Sequence, residues 1–328
     1  MRMIAVDWGT SSARAYRLAP DGAVLARREG AGGILRVPEG GFPAALTAMV
    51  GDWLADGETR VLLAGMVGSR QGWQEAPYLA CPAGLDALAG AVVPVPFPGA
   101  TVRLVPGLSA EDAAGTPEVM RGEEVQVVGT LARPDEDALI CLPGSHAKWV
   151  RVAGGRIAGF TTHMTGEAFA ALKEHTILGR MMTGTAEAGP AFAAGVARSA
   201  EGGGLLHHLF GTRTLGLFGR LAPEDAASYL SGLLIGHEVA AALTGGAALT
   251  GGAALTGGAA LTGGAALTGG GARVEPALVR PVVRLVGSGP LMALYGRAIA
   301  LKGGEAVPGD PDAAARGLAL IGERIQWA

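Results

Sequence analysis

VDWGTSSARAYRL, residues 6–18, joins the end of an apolar run, MIAVDW, to an alternating run, ARAYRLA, through Gly9, Thr10, Ser11 and Ser12. An apolar run, a Gly/hydroxyl turn and a period-two segment predict an antiparallel hairpin. That topology argues against a nucleophilic serine, because a GxSxG elbow places a helix after the nucleophile. A GxxxxGK[ST] phosphate loop is absent as well. Two readings remain. One is a plain turn beside a solvated aspartate. The other is a phosphate cradle, in which Gly9, Thr10, Ser11 and Ser12 turn N–H groups and hydroxyls toward one point. In that reading Asp7, at the strand end, holds Mg2+ through water beside phosphate oxygens, and Arg14 adds a bidentate phosphate contact.

The pattern continues into a third strand, AVLARRE, after a PDG turn, and then a helix, GGFPAALTAMVGDWLAD, with Phe42, Leu46, Met49, Val50, Trp53 and Leu54 on or near one face. TRVLLAGMVG and TVRLVPGL read as further strands, so the first part is a mixed sheet with crossover helices. Residues 138–160, ALICLPGSHAKWVRVAGGRIAGF, repeat the opening arrangement of apolar strand, Gly/hydroxyl turn, alternating basic strand and third strand. ARAYRLAPDG (13–22) and AKWVRVAGGR (147–156) match in pattern, which points to duplication. The expected architecture is α/β, with two similar halves, 1–111 and 112–328, and a cleft between them as the place for a ligand. The second turn offers Gly144, Ser145, His146 and Lys148 to a polyphosphate. The plainer alternative makes His146 a hydrogen-bonding turn residue and Lys148 a solvated base. A third turn, Gly287-Ser288-Gly289, follows the strand VVRLV and precedes a helix opened by Pro290. It allows an adenosine to approach the backbone closely, or simply joins strand to helix.

The totals narrow the function class. With 328 residues there is room for a large core; net charge is −3 and only 17% of residues are charged, so nothing steers the chain to nucleic acid or an anionic membrane. Cys81 and Cys141 stand far apart, without zinc or disulfide spacing. Mean hydropathy is +0.34, yet charges and glycine runs interrupt the apolar stretches. The expectation is a soluble, cytoplasmic protein without a targeting or spanning segment. His207-His208 lacks metal spacing and reads as a surface or core pair. AALTGG occurs five times in tandem over residues 241–270. Ala, Thr and Gly bury too little to offset ordering entropy, so this segment reads as an expanded surface loop between a helix ending near Val239 and a strand starting near Val282.

Two phosphate hairpins and a late Gly-x-Gly turn, in that order, resemble the actin/hexokinase/Hsp70 ATPase superfamily, with its paired ribonuclease-H-like domains. Within it, AVDWGTSSARAY, AGMVGSRQGWQEAPYL, VMRGEEVQVVG, LPGSHAKWV, HMTGE and LSGLLIGHEV together resemble the 2-dehydro-3-deoxygalactonokinase family over nearly the whole chain except the repeats. The resemblance implies transfer of the ATP γ-phosphoryl group to the terminal 6-hydroxyl of 2-dehydro-3-deoxy-D-galactonate, with Mg2+. In related sugar kinases a Gly-Asp pair opens the helix before the second hairpin, and its Asp takes the hydroxyl proton. Here the place reads Gly122-Glu123, so Glu123 is the expected base and Glu124 the fallback; both could equally serve the helix dipole. Ser69, Arg70 and Trp73 are candidates for the sugar acid from the first half; Arg121, next to the expected base, could equally pair with its carboxylate, and Thr165 and Glu167 are candidates from the other half. A chaperone or filament protein is disfavoured, because no region remains for a peptide-binding domain. A phosphatase or polyphosphatase, another ATPase of the superfamily, or a kinase of a related 2-keto-3-deoxy sugar acid is the alternative. A homo-oligomer stays open.

Overall fold

The computed structural model describes residues 2–247, 280–287 and 289–327. The first series of elements is β1 (Met3–Trp8), β2 (Ala13–Leu18), β3 (Val24–Gly30), α1 (Phe42–Ala55), β4 (Arg60–Ala64), β5 (Tyr78–Ala80), α2 (Leu85–Gly90), β6 (Val93–Val95), β7 (Thr101–Leu104), β8 (Gly107–Glu111), β9 (Pro117–Met120) and α3 (Glu123–Thr130). The second is β10 (Ala138–Leu142), β11 (Ala147–Ala153), β12 (Arg156–His163), α4 (Thr165–His175), α5 (Pro190–Arg198), α6 (Gly204–Leu217), α7 (Pro223–Ala247), β13 (Val282–Leu285), α8 (Pro290–Leu301), β14 (Glu305–Pro308) and α9 (Ala313–Gly322).

The duplication is visible in the sheets. The first runs β3-β2-β1-β4-β7-β6 and the second β12-β11-β10-β13-β14. In each, the first three strands pair antiparallel and the next two join in parallel. This is the ribonuclease-H-like arrangement, present twice, as in the actin-like ATPases. In β1 the side chains alternate between two faces. Ile4, Val6 and Trp8 pack with Phe42, Leu46, Val50 and Trp53 of α1 on the outside. Met3 and Ala5 face inward, into a core shared with Val125 and Val128 of α3, Leu318 and Ile321 of α9, and Ile140, Leu142 and Val150 of the second sheet. Asp7 continues the inward series, so the first turn delivers a carboxylate to the space between the sheets.

α3 and α9 lie between the two sheets and touch through glycine. A Cβ on Gly129 would stand 1.9 Å from the Ala313 carbonyl, and one on Gly317 would stand 1.9 Å from that of Val125. No rotamer escapes a backbone clash of this kind, so the helices would have to separate and expose core surface on both sides. Gly317→Val is expected to cost about 3 kcal/mol or more, read as a lowered urea midpoint. An unchanged midpoint would mean that the helices do not pack this closely.

Three expectations are corrected. TVRLVPGL is not one strand. Pro106 separates β7, in the first sheet, from β8, in a small third sheet ordered β5-β8-β9. YLA (Tyr78–Ala80) and PEVM (Pro117–Met120) were not expected to be strands; they are short and mostly exposed, one preceded and the other opened by Pro, and too brief to show a period-two signal. α7 does not end near Val239 but continues to Ala247, through the first copy of AALTGG; the other repeats lie outside the described residues. Among the described residues, α7 alone is long and apolar enough to cross a membrane, but 78% of that window is buried inside the protein. It packs against α5, α6 and α8, as a core helix does.

Candidate active site

The first turn is a tight loop. Gly9 N–H donates to the Ser12 carbonyl at 2.9 Å, and the Gly9 and Thr10 carbonyls accept from the N–H groups of Ile34 and Leu35. Gly33 lies directly on this loop: a Cβ there would stand 2.3 Å from Ser11. With the carbonyls drawn toward residues 33–35, Thr10, Ser11 and Ser12 remain exposed at the tip, as a phosphate cradle requires. Asp7 stands opposite Arg14 in the strand register, and Arg14 also pairs with Glu29 at 2.7 Å. Burial pushes the Asp7 carboxyl up to about 6, against the opposing pull of Arg14, and Glu123 raises it further.

The second turn repeats the cation. Lys148 stands opposite Leu142 as Arg14 stands opposite Asp7. The counterpart of Asp7 is thus Leu142, and only the first hairpin brings a carboxylate inward. Lys148 is not a solvated base. It is buried, its Nζ donates to the Val119 carbonyl at 3.0 Å and to Thr162 Oγ1 at 2.9 Å, and burial lowers its pKa. Ser145 and His146 are exposed at the tip. The turn rests on the start of α4: Glu167 N–H donates to the Ser145 carbonyl at 3.0 Å, and a Cβ on Gly166 would stand 2.4 Å from the Gly144 carbonyl. His146 Nε2 and Glu167 Oε2 lie 2.5 Å apart. Glu167 therefore belongs with the second hairpin. Thr165, beside it, lines a 380 Å3 cavity with Thr162, His237 and Glu238. Beneath, Glu238 accepts from Trp149 Nε1 at 2.7 Å and from the Tyr295 hydroxyl at 2.8 Å, tying β11, α7 and α8 together.

Gly287 lies against this turn, since a Cβ on it would meet Pro143 Cδ at 3.8 Å. Gly289, at φ +69°, caps α8. The third turn and the second hairpin are therefore neighbours. Ser288 lies outside the described residues.

Glu123 and Glu124 open α3 behind Gly122, whose φ of +104° suits glycine. Their surroundings differ. Glu124 is fully buried; Oε2 accepts from Gly122 N–H at 2.7 Å and Oε1 has no partner. Burial, then the neighbouring Glu123, push its carboxyl up to about 8, so it holds a proton at neutral pH. Glu123 is only partly covered, and Oε2 accepts from Arg121 N–H at 3.0 Å. Burial raises its pKa, while the charges of Lys148 and His146, both from the second hairpin, lower it. Since Asp7 feels Glu123 from the first hairpin, both turns converge on this carboxylate.

Arg121 is a buried cation without a carboxylate partner among the described residues. Nη2 donates to the Ala76 carbonyl at 2.8 Å and the guanidinium stacks on Tyr78 at 4.3 Å, while Nε and Nη1 have no partner. The turn at Gly68 closes over Nη1, and the neighbouring Ser69 hydroxyl is likewise buried without a partner. Arg70 is exposed and paired with Glu75 at 3.1 Å. Trp73 stacks on Phe42 and meets Phe97 edge-on, in the core on the outer face of the first sheet. Tyr78 and Val119 were missed by sequence reasoning, because they act through a ring face and a carbonyl on strands that carry no pattern. His207 and His208 are a packed pair, with His208 buried and bonded to His237.

Whether Mg2+ fits can be judged at Asp7. A Cβ on Gly65 would stand 3.3 Å from Asp7 Oδ1 and one on Gly122 would stand 3.9 Å from it, so two glycines keep the space beside the carboxylate clear. Among the described residues no group of three or more His, Cys, Asp or Glu could hold a metal ion. A single strand-end carboxylate with clear space beside it suits a cation that keeps its waters and takes its remaining ligands from phosphates.

The family model described as 2-keto-3-deoxy-galactonokinase matches residues 7–268. A Rhizobium meliloti (strain 1021) protein named "Probable 2-dehydro-3-deoxygalactonokinase DgoK1" is 41% identical over 246 residues, 74% of this chain and 80% of its own length. The 2-dehydro-3-deoxygalactonokinase of Escherichia coli (strain K12) is 37% identical over 241 residues, 73% of this chain and 80% of that one. A solved Sinorhizobium meliloti structure carrying the same kinase designation superposes with a TM-score of 0.80 at 37% identity, covering 97% of each chain. With a duplicated fold, paired hairpins and this likeness along most of its length, the chain belongs to the 2-keto-3-deoxy-galactonokinase family.

Proposed function

We propose that this protein is a cytoplasmic kinase that moves the γ-phosphoryl group of ATP to the terminal 6-hydroxyl of 2-dehydro-3-deoxy-D-galactonate, using Mg2+, in a cleft between halves that divide near residue 111. The observation that carries this is the convergence of both hairpins on Glu123, one residue past a charged Arg121–Gly122 junction. Phosphoryl transfer asks mainly for positioning and charge neutralisation. Gly9, Thr10 and Ser11 on one side and Gly144, Ser145 and His146 on the other grip the phosphates. Gly287, Ser288 and Gly289 admit the adenosine. Asp7 would hold Mg2+ through water, where the ion neutralises charge building on the phosphates. Glu123, whose burial raises its pKa and whose neighbour Lys148 offsets part of that rise, takes the proton from the attacking hydroxyl, and Glu124 stays protonated behind it. Lys148 acts on the base and on the seam with β9, in addition to any pull on phosphate.

Arg121 supplies the charge for a substrate that carries a carboxylate, with Ser69 beside it. Both are shielded by Tyr78 and the turn at Gly68, so the acid reaches them by displacing that loop. Arg70 and Trp73 are left out of the proposed site, and Thr165 and Glu167 serve the second hairpin and its cavity. ADP release tests the reading. It should require the 2-keto-3-deoxy sugar acid and generate its 6-phosphate in equal amount. ADP released with water alone, and not increased by the sugar acid, would make the protein a phosphohydrolase instead.

A further inference from the structure

The 380 Å3 cavity beside the second hairpin lies between the starts of α4 and α6 and the middle of α7, and falls in the range of about 300–1,000 Å3 usual for small-molecule sites. Its place follows from α4. Thr165 lines it, and the next two residues hold the hairpin: Gly166 packs on the Gly144 carbonyl, and Glu167 N–H donates to that of Ser145 at 3.0 Å. α8, which Gly289 caps, supplies the Tyr295 hydroxyl that donates to Glu238 in the cavity wall. One side of the cavity is apolar, from Met164, Leu205 and Leu234, and suits a flat ring. The other carries Thr165, His237 and Glu238.

Proton counting decides what that second side offers. The Gly202 carbonyl can only accept, so His208 Nε2, 3.0 Å from it, carries a proton and donates. A second proton on Nδ1 would make this buried ring a cation with no carboxylate partner among the described residues, which burial disfavours. His208 Nδ1 is therefore bare and accepts from His237 Nε2 at 3.1 Å. Burial, then His208 and Lys302, lower the pKa of His237, so that ring is neutral too and its own Nδ1 is bare. Glu238 has both oxygens engaged, by Trp149 and Tyr295, and a threonine hydroxyl gives or takes equally well. His237 Nδ1 is thus a fixed acceptor, its tautomer set by a backbone carbonyl two rings away.

We propose, on the kinase reading above, that this cavity holds the nucleoside of the phosphoryl donor and that His237 reads it, accepting an N–H of the base or an O–H of the sugar at Nδ1. Phosphates seated on Ser145 and His146 bring the group they carry to the cavity mouth, and its ring lies against Met164, Leu205 and Leu234.

Calorimetric titration of the full chain with ATP, inosine triphosphate, 2′-deoxy-ATP and 3′-deoxy-ATP, each with Mg2+, tests this without turnover. The first analogue replaces the donating 6-amino group by an accepting carbonyl, and the other two each lack a hydroxyl, so base and sugar are told apart. One of the three should bind the wild type about ten-fold more weakly than ATP, the effect of leaving a buried acceptor unpaired. His237→Phe should bind that analogue and ATP equally well. His237→Asn, whose amide oxygen can stand where Nδ1 stood, should keep part of the preference. A wild type that binds all four nucleotides alike overturns the proposal before any variant is made, and so does a preference that survives His237→Phe. ADP release that does not depend on the sugar acid, with the binding preference and its loss intact, would remove the kinase reading and leave the nucleoside site standing.

Discussion

Glu123→Gln is expected to lower turnover about 1,000-fold, within the range by which a positioned general base accelerates proton transfer. The substitution is nearly isosteric, and the new amide oxygen can still accept from Arg121 N–H, as Glu123 Oε2 does at 3.0 Å. The start of α3 is therefore kept while the proton acceptor is lost. The KM for ATP should change little, because the hairpin residues are untouched. The pH profile carries a second, independent sign. Burial raises the pKa of Glu123 above its ordinary 4.5, and Lys148 and His146 hold part of that rise back. A base works only when ionised, so wild-type turnover should fall as pH drops through a value above 4.5. In the variant the residual turnover should lose that contribution, so its fall on the acid side should be shallower than that of the wild type. Turnover within ten-fold of wild type would move the role away from Glu123. Glu124 would inherit it only by opening a site that is now fully buried and carries a proton up to about pH 8.

The fold was legible because the two signals that define it are local. MIAVDW runs mostly apolar and ARAYRL alternates, a PDG turn leads from them into VLARREG, and the same pattern returns at 138–160 with the same turn chemistry. Both sheets follow from those hairpins and the crossover rule. The third sheet was not legible: Tyr78–Ala80 and Pro117–Met120 are three and four residues long, and their pairing with Gly107–Glu111 is set by tertiary contact. The site was legible where a residue type announces its chemistry, as with Asp7 after a strand and Gly122-Glu123 before a helix. It was not legible where role depends on surroundings. Arg70 and Arg121 are both arginines near the first half's loop, yet one is a solvated ion pair and the other a buried, half-satisfied cation. Trp73 has the composition of a sugar-stacking residue, but Phe42 and Phe97 are not its neighbours in sequence and claim both the face and the edge of its ring.

That contrast makes Arg121→Met the most discriminating substitution for substrate choice. A guanidinium with two unpaired nitrogens in the interior is costly, because burial removes its water without replacing it. A carboxylate brought to it regains a charge-assisted hydrogen bond worth about 1.5–3 kcal/mol, which corresponds to roughly a 10- to 150-fold change in binding. Arg121→Met keeps the length and the packing against Tyr78 but removes the charge. It should raise the KM for the sugar acid about 100-fold, with a smaller change in kcat and none in the KM for ATP. Arg121→Lys should recover only part of the loss, since an ammonium cannot hold the Ala76 carbonyl and a carboxylate in one plane. An analogue whose carboxylate is reduced to an alcohol separates recognition from scaffolding. The wild type should use it as poorly as Arg121→Met uses the acid, and Arg121→Met should not discriminate between the two compounds. If Arg121→Met lost the acid and the alcohol by the same factor, the guanidinium would be holding the loop at Ala76 and Tyr78 in place, and the carboxylate would have to be read elsewhere.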